Sequence, residues 1–191
     1  MKNYFYILFS ISILAFSNSS FAYDDAFWEQ MAKRSDVKIT LENGVKTAHF
    51  SGGVTISDDG LGMDNSGKGA VRCSWEIYVA MKNMSELCFP DDESEFKKNL
   101  DYAVDKTNDF IIVNSLSPIT KSEIEESIKR KFLELKEQIS KISKEKFDKE
   151  CSSGSIAQMK KHMMSKSPEE FRKAVDDVLS IPRPPVMNPC L

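Results

Sequence analysis

Met159, His162 and Met163 stand close together on one segment and carry side chains that could hold a soft metal. Thioether sulfur suits Cu(I), and helical spacing would set Met159 one turn from both His162 and Met163. Lys160 and Lys161, however, would repel a cation, and methionine at helical spacing also describes ordinary core packing. A Met/His copper or small-ligand binder is therefore the lesser reading, and no cofactor is expected. Carriers of acid–base chemistry are few, since His49 and His162 are the only histidines. No serine stands in a Gly-x-Ser-x-Gly elbow. Carboxylates are plentiful: Glu76 lies in an apolar stretch, and Asp101, Asp105 and Asp109 recur every four residues. The three aspartates would form either a stripe for contact with a cationic partner or a solvated helix face. A hydrolase working on the cell envelope would need two carboxylates across a cleft, which spacing along one chain does not supply. Residues 62–69, Gly-Met-Asp-Asn-Ser-Gly-Lys-Gly, resemble a phosphate-binding loop but place Gly69 where a magnesium-holding hydroxyl is required. A flexible Gly-rich loop is the simpler reading.

The remaining reactive side chains are Cys73, Cys88, Cys151 and Cys190. Their state depends on the compartment. Lys2, an apolar run from Tyr4 to Phe16 and the small-residue pattern Ser20-Phe21-Ala22 read as a secretory signal peptide over residues 1–22. The run falls short of the roughly 20 residues a membrane span requires, so no stable span is expected after cleavage. An even cysteine count in an exported chain implies two disulfides. With 26 basic against 29 acidic residues, and lysines interleaved with glutamates, the chain offers no basic face for nucleic acid. The composition, biased to Lys, Asn, Ile and Ser, has a bacterial character, which makes the periplasm or the medium the expected destination.

The elements that must position these residues centre on 94–151, read as a pair of antiparallel helices. Phe96, Leu100, Ala103, Thr107, Phe110 and Asn114 alternate spacings of four and three along one face of the first. Thr120-Lys121-Ser122-Glu123 is a capping box that opens the second, with Ile119 placed to staple against Ile124. Ile124, Ile128, Phe132, Leu135, Ile139 and Ile142 then form an apolar stripe expected to bury against the preceding helix. On the N-terminal side, Asp24 and Asp25 open a short helix. Val37–Leu41 and Val45–Phe50 flank Asn43-Gly44 as a β-hairpin, Val54–Ile56 is a third short run, and 58–69 is loop.

Residues 71–88 alternate like a strand over their first half and repeat like a helix over their second, with helix the favoured reading. As a helix, the span separates Cys73 from Cys88 by about 22 Å at ~1.5 Å per residue, too far for a bond. The helical pair would return Cys151 to Cys88, leaving Cys73 for Cys190. Beyond 151, Ile156, Met159 and Met163 suggest a short helix, and Ser167-Pro168-Glu169-Glu170 starts another. The tail Ile181–Pro185 reads as polyproline-like chain.

The expected fold is thus α+β and mainly α: an antiparallel helical hairpin and further short helices with a small N-terminal β-hairpin and two disulfides. Residues 23–70 and 71–191 would share one compact domain. The expected function is protein binding by an exported periplasmic or secreted protein of inhibitor, immunity or envelope-assembly type, its partner another envelope or secreted protein. Enzymatic hydrolysis by carboxylates is the alternative.

Overall fold

The computed structural model describes residues 23–92 and 94–190, so the signal-peptide reading of 1–22 lies outside the described residues. The fold is α+β and mainly α. Helix α1 (Asp25–Ala32) is capped by Asp24, whose carboxylate accepts from the Phe27 amide at 2.9 Å, and it lays Trp28 and Met31 onto the sheet. The sheet is an antiparallel meander of β1 (Val37–Glu42), β2 (Val45–Phe50), β3 (Val54–Ser57) and β4 (Gly62–Asp64) in sequential order. Asn43 and Gly44, at φ 52° and 81°, make the tight turn that the β1–β2 pairing requires. Strand β4 corrects the expectation of an uninterrupted loop over 58–69. Glycine-rich sequence conceals it, because Gly62 is placed where a Cβ would stand 2.6 Å from Val186 of the tail.

Helix α2 (Val71–Cys88) runs through the middle of the molecule and resolves the ambiguous segment. Its buried residues include Val71, Cys73, Trp75, Val79, Met81, Asn83 and Ser85. A helix covered on more than one side buries a wide face, and at its start that face mimics the alternation of a strand. Helix α3 (Glu95–Asn114), capped by Ser94, packs closely against α2 and buries Phe96, Leu100, Ala103, Val104, Thr107 and Ile111. The central helical hairpin is therefore α2 with α3.

Helix α4 (Lys121–Ser140) begins with the expected capping box between Thr120 and Glu123. Of its apolar stripe only Ile124 is fully buried, whereas Ile128, Phe132, Leu135, Ile139 and Ile142 are half-buried. Burial of the whole stripe against α3 is thus not what the fold does: α3 already spends its apolar face on α2 and the later helices. The expected continuous limb to Cys151 is also divided. Ser143 accepts from the Lys146 amide and starts a separate helix, α5 (Lys144–Ser153), followed by α6 (Ser155–Met164) and α7 (Pro168–Val178). In α7 Pro168 occupies the first turn and Ser167 with Glu170 complete a second capping box.

Two disulfides and an anchored strap close the fold. Cys88 is bonded to Cys151 and Cys73 to Cys190, with Cα separations of 5.1 and 5.3 Å. Between α7 and Cys190 the tail runs across the sheet and the start of α2. The Val186 carbonyl accepts from the Arg72 amide, and the Asn188 carbonyl from the Asp64 amide at 2.7 Å. Arg183 is its anchor, with the guanidinium and the Asp64 carboxylate both removed from solvent and 2.6 Å apart. Its remaining donors reach the carbonyls of Gly69, Val178 and Ile181, so one side chain joins β4, the loop after it, the end of α7 and the tail. The strap passes so near the β2–β3 connection that a Cβ on Gly52 would meet the Pro182 carbonyl at 2.5 Å.

Candidate functional site

An open groove of about 390 Å³ lies where α4 leaves the α2–α3 pair. Its position follows from the incomplete burial of α4: Ile128 and Phe132 face Val104 of α3 without closing over it, and they form an apolar floor. Helix α2 adds Lys82, Asn83 and Glu86, helix α3 adds Asp105 and Asn108, and helix α4 adds Lys121, Glu125 and Lys129.

The polar groups at the groove are unequally engaged. Lys82 is ion-paired with Asp101, and Asn108 accepts from the Trp75 indole at 2.6 Å, which leaves the Asn108 NH₂ donors uncommitted. Asp105 and Lys129 are exposed and form no ion pair among the described residues. Asn83 differs from all of them. It is only 5 % exposed, and its side-chain amide makes no hydrogen bond among the described residues. Its amide atoms nevertheless keep contact with solvent, since the unpartnered polar atoms cut off from solvent among the described residues belong to Glu76, Asn99 and Arg172, so Asn83 stands on the groove wall as an available donor and acceptor. Glu76 lies one to two turns along α2 and is held by Lys131 at 2.8 Å, with Arg72 at 3.8 Å.

The residues singled out by spacing are dispersed. Asp101, Asp105 and Asp109 are all exposed, but Asp101 is neutralised by Lys82, Asp105 opens onto the groove, and Asp109 lines a second depression beside Phe110, Val113 and Leu179. Met159 and Met163 pack into the helical core around Phe96, Leu100, Ile156 and Phe171, whereas His162 is exposed. Core packing is thus what the two thioethers do here. The charged groups that the ion pairs place beside Glu76 are the cations Arg72 and Lys131. The Gly62–Gly69 motif ends strand β4 and turns onto Arg183, with Asp64 buried and Lys68 bonded to Asp177.

Asn83, Asn108, Lys129 and the Asp64–Arg183 pair are not found by motif spacing. A signal for Asn83 exists in the sequence: Trp75, Val79 and Asn83 fall at successive four-residue steps, which sets an amide on an otherwise apolar helix face. Nothing local distinguishes Arg183 from any other basic residue in a proline-rich tail. The groove as a whole supplies an apolar floor, two amides and one unpaired charge of each sign. Such a set can hold an extended or helical peptide segment by its main chain and one apolar side chain. Comparison with protein-family models, with curated proteins and with solved structures finds no match to this chain.

Proposed function

We propose that this protein acts by binding another protein in an oxidising compartment outside the cytoplasm, as an inhibitor, immunity factor or envelope-assembly component. A segment of the partner occupies the groove between α2, α3 and α4. One observation carries the reading: α4 leaves the apolar floor of Val104, Ile128 and Phe132 open, with the Asn83 amide, unpaired among the described residues, on its wall. A peptide main chain offers the complementary donor and acceptor, and its apolar side chains would cover Phe132. Both disulfides tie α2, one to α5 and one to the anchored tail, and so fix one wall of the groove before contact, which limits the ordering cost of association. The same cross-links, with the leader-like residues 1–22, support the choice of compartment.

The test is cross-linked affinity capture from the cell envelope with three baits: the wild-type protein, Asn83→Leu and Phe132→Asp. Both substitutions alter the groove without removing a disulfide. Expected is a stoichiometric partner recovered by the wild type and lost or strongly depleted with both variants. Recovery of the bait alone, or equal recovery by all three, would overturn the assignment.

A further inference from the structure

The four-stranded sheet has two edges, and they are treated differently. Strand β4 is closed by the tail, through the Met63–Asn188 bridge and the Asp64 amide. Strand β1 is paired with β2 alone, and among the described residues no segment pairs with its outer edge. The phase of the ladder identifies which groups that edge presents. Ser51 donates to the Asp36 carbonyl and the two-residue turn closes at Glu42 and Val45, so Asp36, Lys38, Thr40 and Glu42 spend their main-chain groups on β2. Val37, Ile39 and Leu41 therefore direct theirs outward. Leu41 is 69 % exposed, and an open edge with exposed apolar side chains is a template for another strand.

The order of side chains selects the strand. We propose that β1 joins two copies of this chain, edge to edge and antiparallel, about a two-fold axis at Thr40. In that register Lys38 lies opposite Glu42 of the second copy at both ends, and Ile39 lies opposite Leu41 of the second copy on both sides of the axis. The parity also agrees. Ile39 and Leu41 are the residues with outward main-chain groups, so each Ile39–Leu41 pair exchanges both of its hydrogen bonds. Moving the register by two residues in one direction sets Asp36 opposite Glu42, and in the other it sets Lys38 opposite Gly44. Of these three registers only the Thr40-centred one pairs the charges. Neither Lys38 nor Glu42 has an ion partner in its own chain among the described residues; their neighbours across β2 are His49 and Val45. A self-complementary strand of this kind closes on a second copy and leaves no edge for a third.

Sedimentation equilibrium across the micromolar to millimolar range, at low salt, tests the interface. The wild type is expected to dimerise with concentration. Glu42→Lys sets lysine opposite lysine at both ends and should weaken the dimer by roughly tenfold or more. Lys38→Glu combined with Glu42→Lys restores opposite charges and should restore the dimer, whereas Ile39→Pro removes an outward donor without touching the β2 ladder and should abolish it. The wild type and both charge variants should melt alike when diluted to monomer, whereas Ile39→Pro, which also loses a side chain packed against the sheet core, should melt lower but remain folded by circular dichroism. A chain that stays monomeric throughout, a dimer indifferent to Glu42→Lys, or a double variant that fails to recover would each overturn the proposal. The groove variants Asn83→Leu and Phe132→Asp leave β1 unaltered, so failure of the groove assignment and failure of this one are separately visible.

Discussion

Asp64→Asn is the most informative single substitution in the fold. It preserves the size of the side chain and leaves a fully buried guanidinium without its counter-charge, 2.6 Å from a group that is now neutral. Arginine does not lose its proton at accessible pH, so the protein has no titration by which to relieve the penalty. Removing one partner of a buried pair costs about 3–5 kcal/mol. For a chain of this length each kcal/mol lowers Tm by about 2–4 °C, which predicts a fall of about 6–20 °C. Thermal and urea melts measure the total, and amide hydrogen exchange locates it. The amides of Asp64 and Arg72 donate to Asn188 and Val186 of the strap, so their protection should collapse before that of α3. Replacing both members, Asp64→Leu with Arg183→Met, removes the stranded charge and should recover part of the loss, although the carbonyls of Gly69, Val178 and Ile181 lose their donor. A loss below about 1 kcal/mol for Asp64→Asn, with the strap amides still protected, would refute the reasoning, because buried charge pairs broken on one side are not that cheap.

Two further outcomes follow from the cross-links and the charges. Opening the Cys88–Cys151 loop of 63 residues should cost at most about 4 kcal/mol and opening the Cys73–Cys190 loop of 117 residues at most about 5 on chain-entropy grounds; dithiothreitol should lower Tm by a margin that Ser substitutions of each pair divide between them. Asp92, in the α2–α3 connection, is held at about 2 by the Lys160 ammonium and by the hydroxyl and amide of Ser94. A carboxyl lowered on folding adds stability that is present above its unfolded value of about 3.9 and is lost as pH falls through the folded value. Between pH 4 and 2 the wild type should therefore lose more Tm than Asp92→Asn, and a carboxyl titration by NMR with its midpoint near 4 would refute the assignment.

The parts of this fold that could be read from the chain are those that nearest neighbours decide. Asn43-Gly44 makes its turn because both residues tolerate positive φ, and Thr120 with Glu123 and Ser167 with Glu170 make their capping boxes because each pair reaches its own helix end. The α+β, mainly α character follows from such local signals. So does the impossibility of bonding Cys73 to Cys88 within one straight helix.

Tertiary structure decided what those signals left open. It made α2 rather than α4 the partner that fills α3, since a periodic stripe states only that a face is apolar and not what will cover it. It broke the 121–151 limb at Ser143, whose capping preference is too small a local signal to mark a boundary inside an otherwise helical pattern. It placed β4 in a glycine-rich stretch because the tail packs there, and it turned Met159 and Met163 inward while leaving His162 exposed. Arg183 and Asp64 are 119 residues apart, and Asn83 draws its meaning from Val104 and Phe132 on two other helices. The sequence alone determined the short-range elements, whose energy lies within a few residues. The groove, the buried ion pair and the free strand edge arise from groups that only the completed fold brings together, or leaves apart.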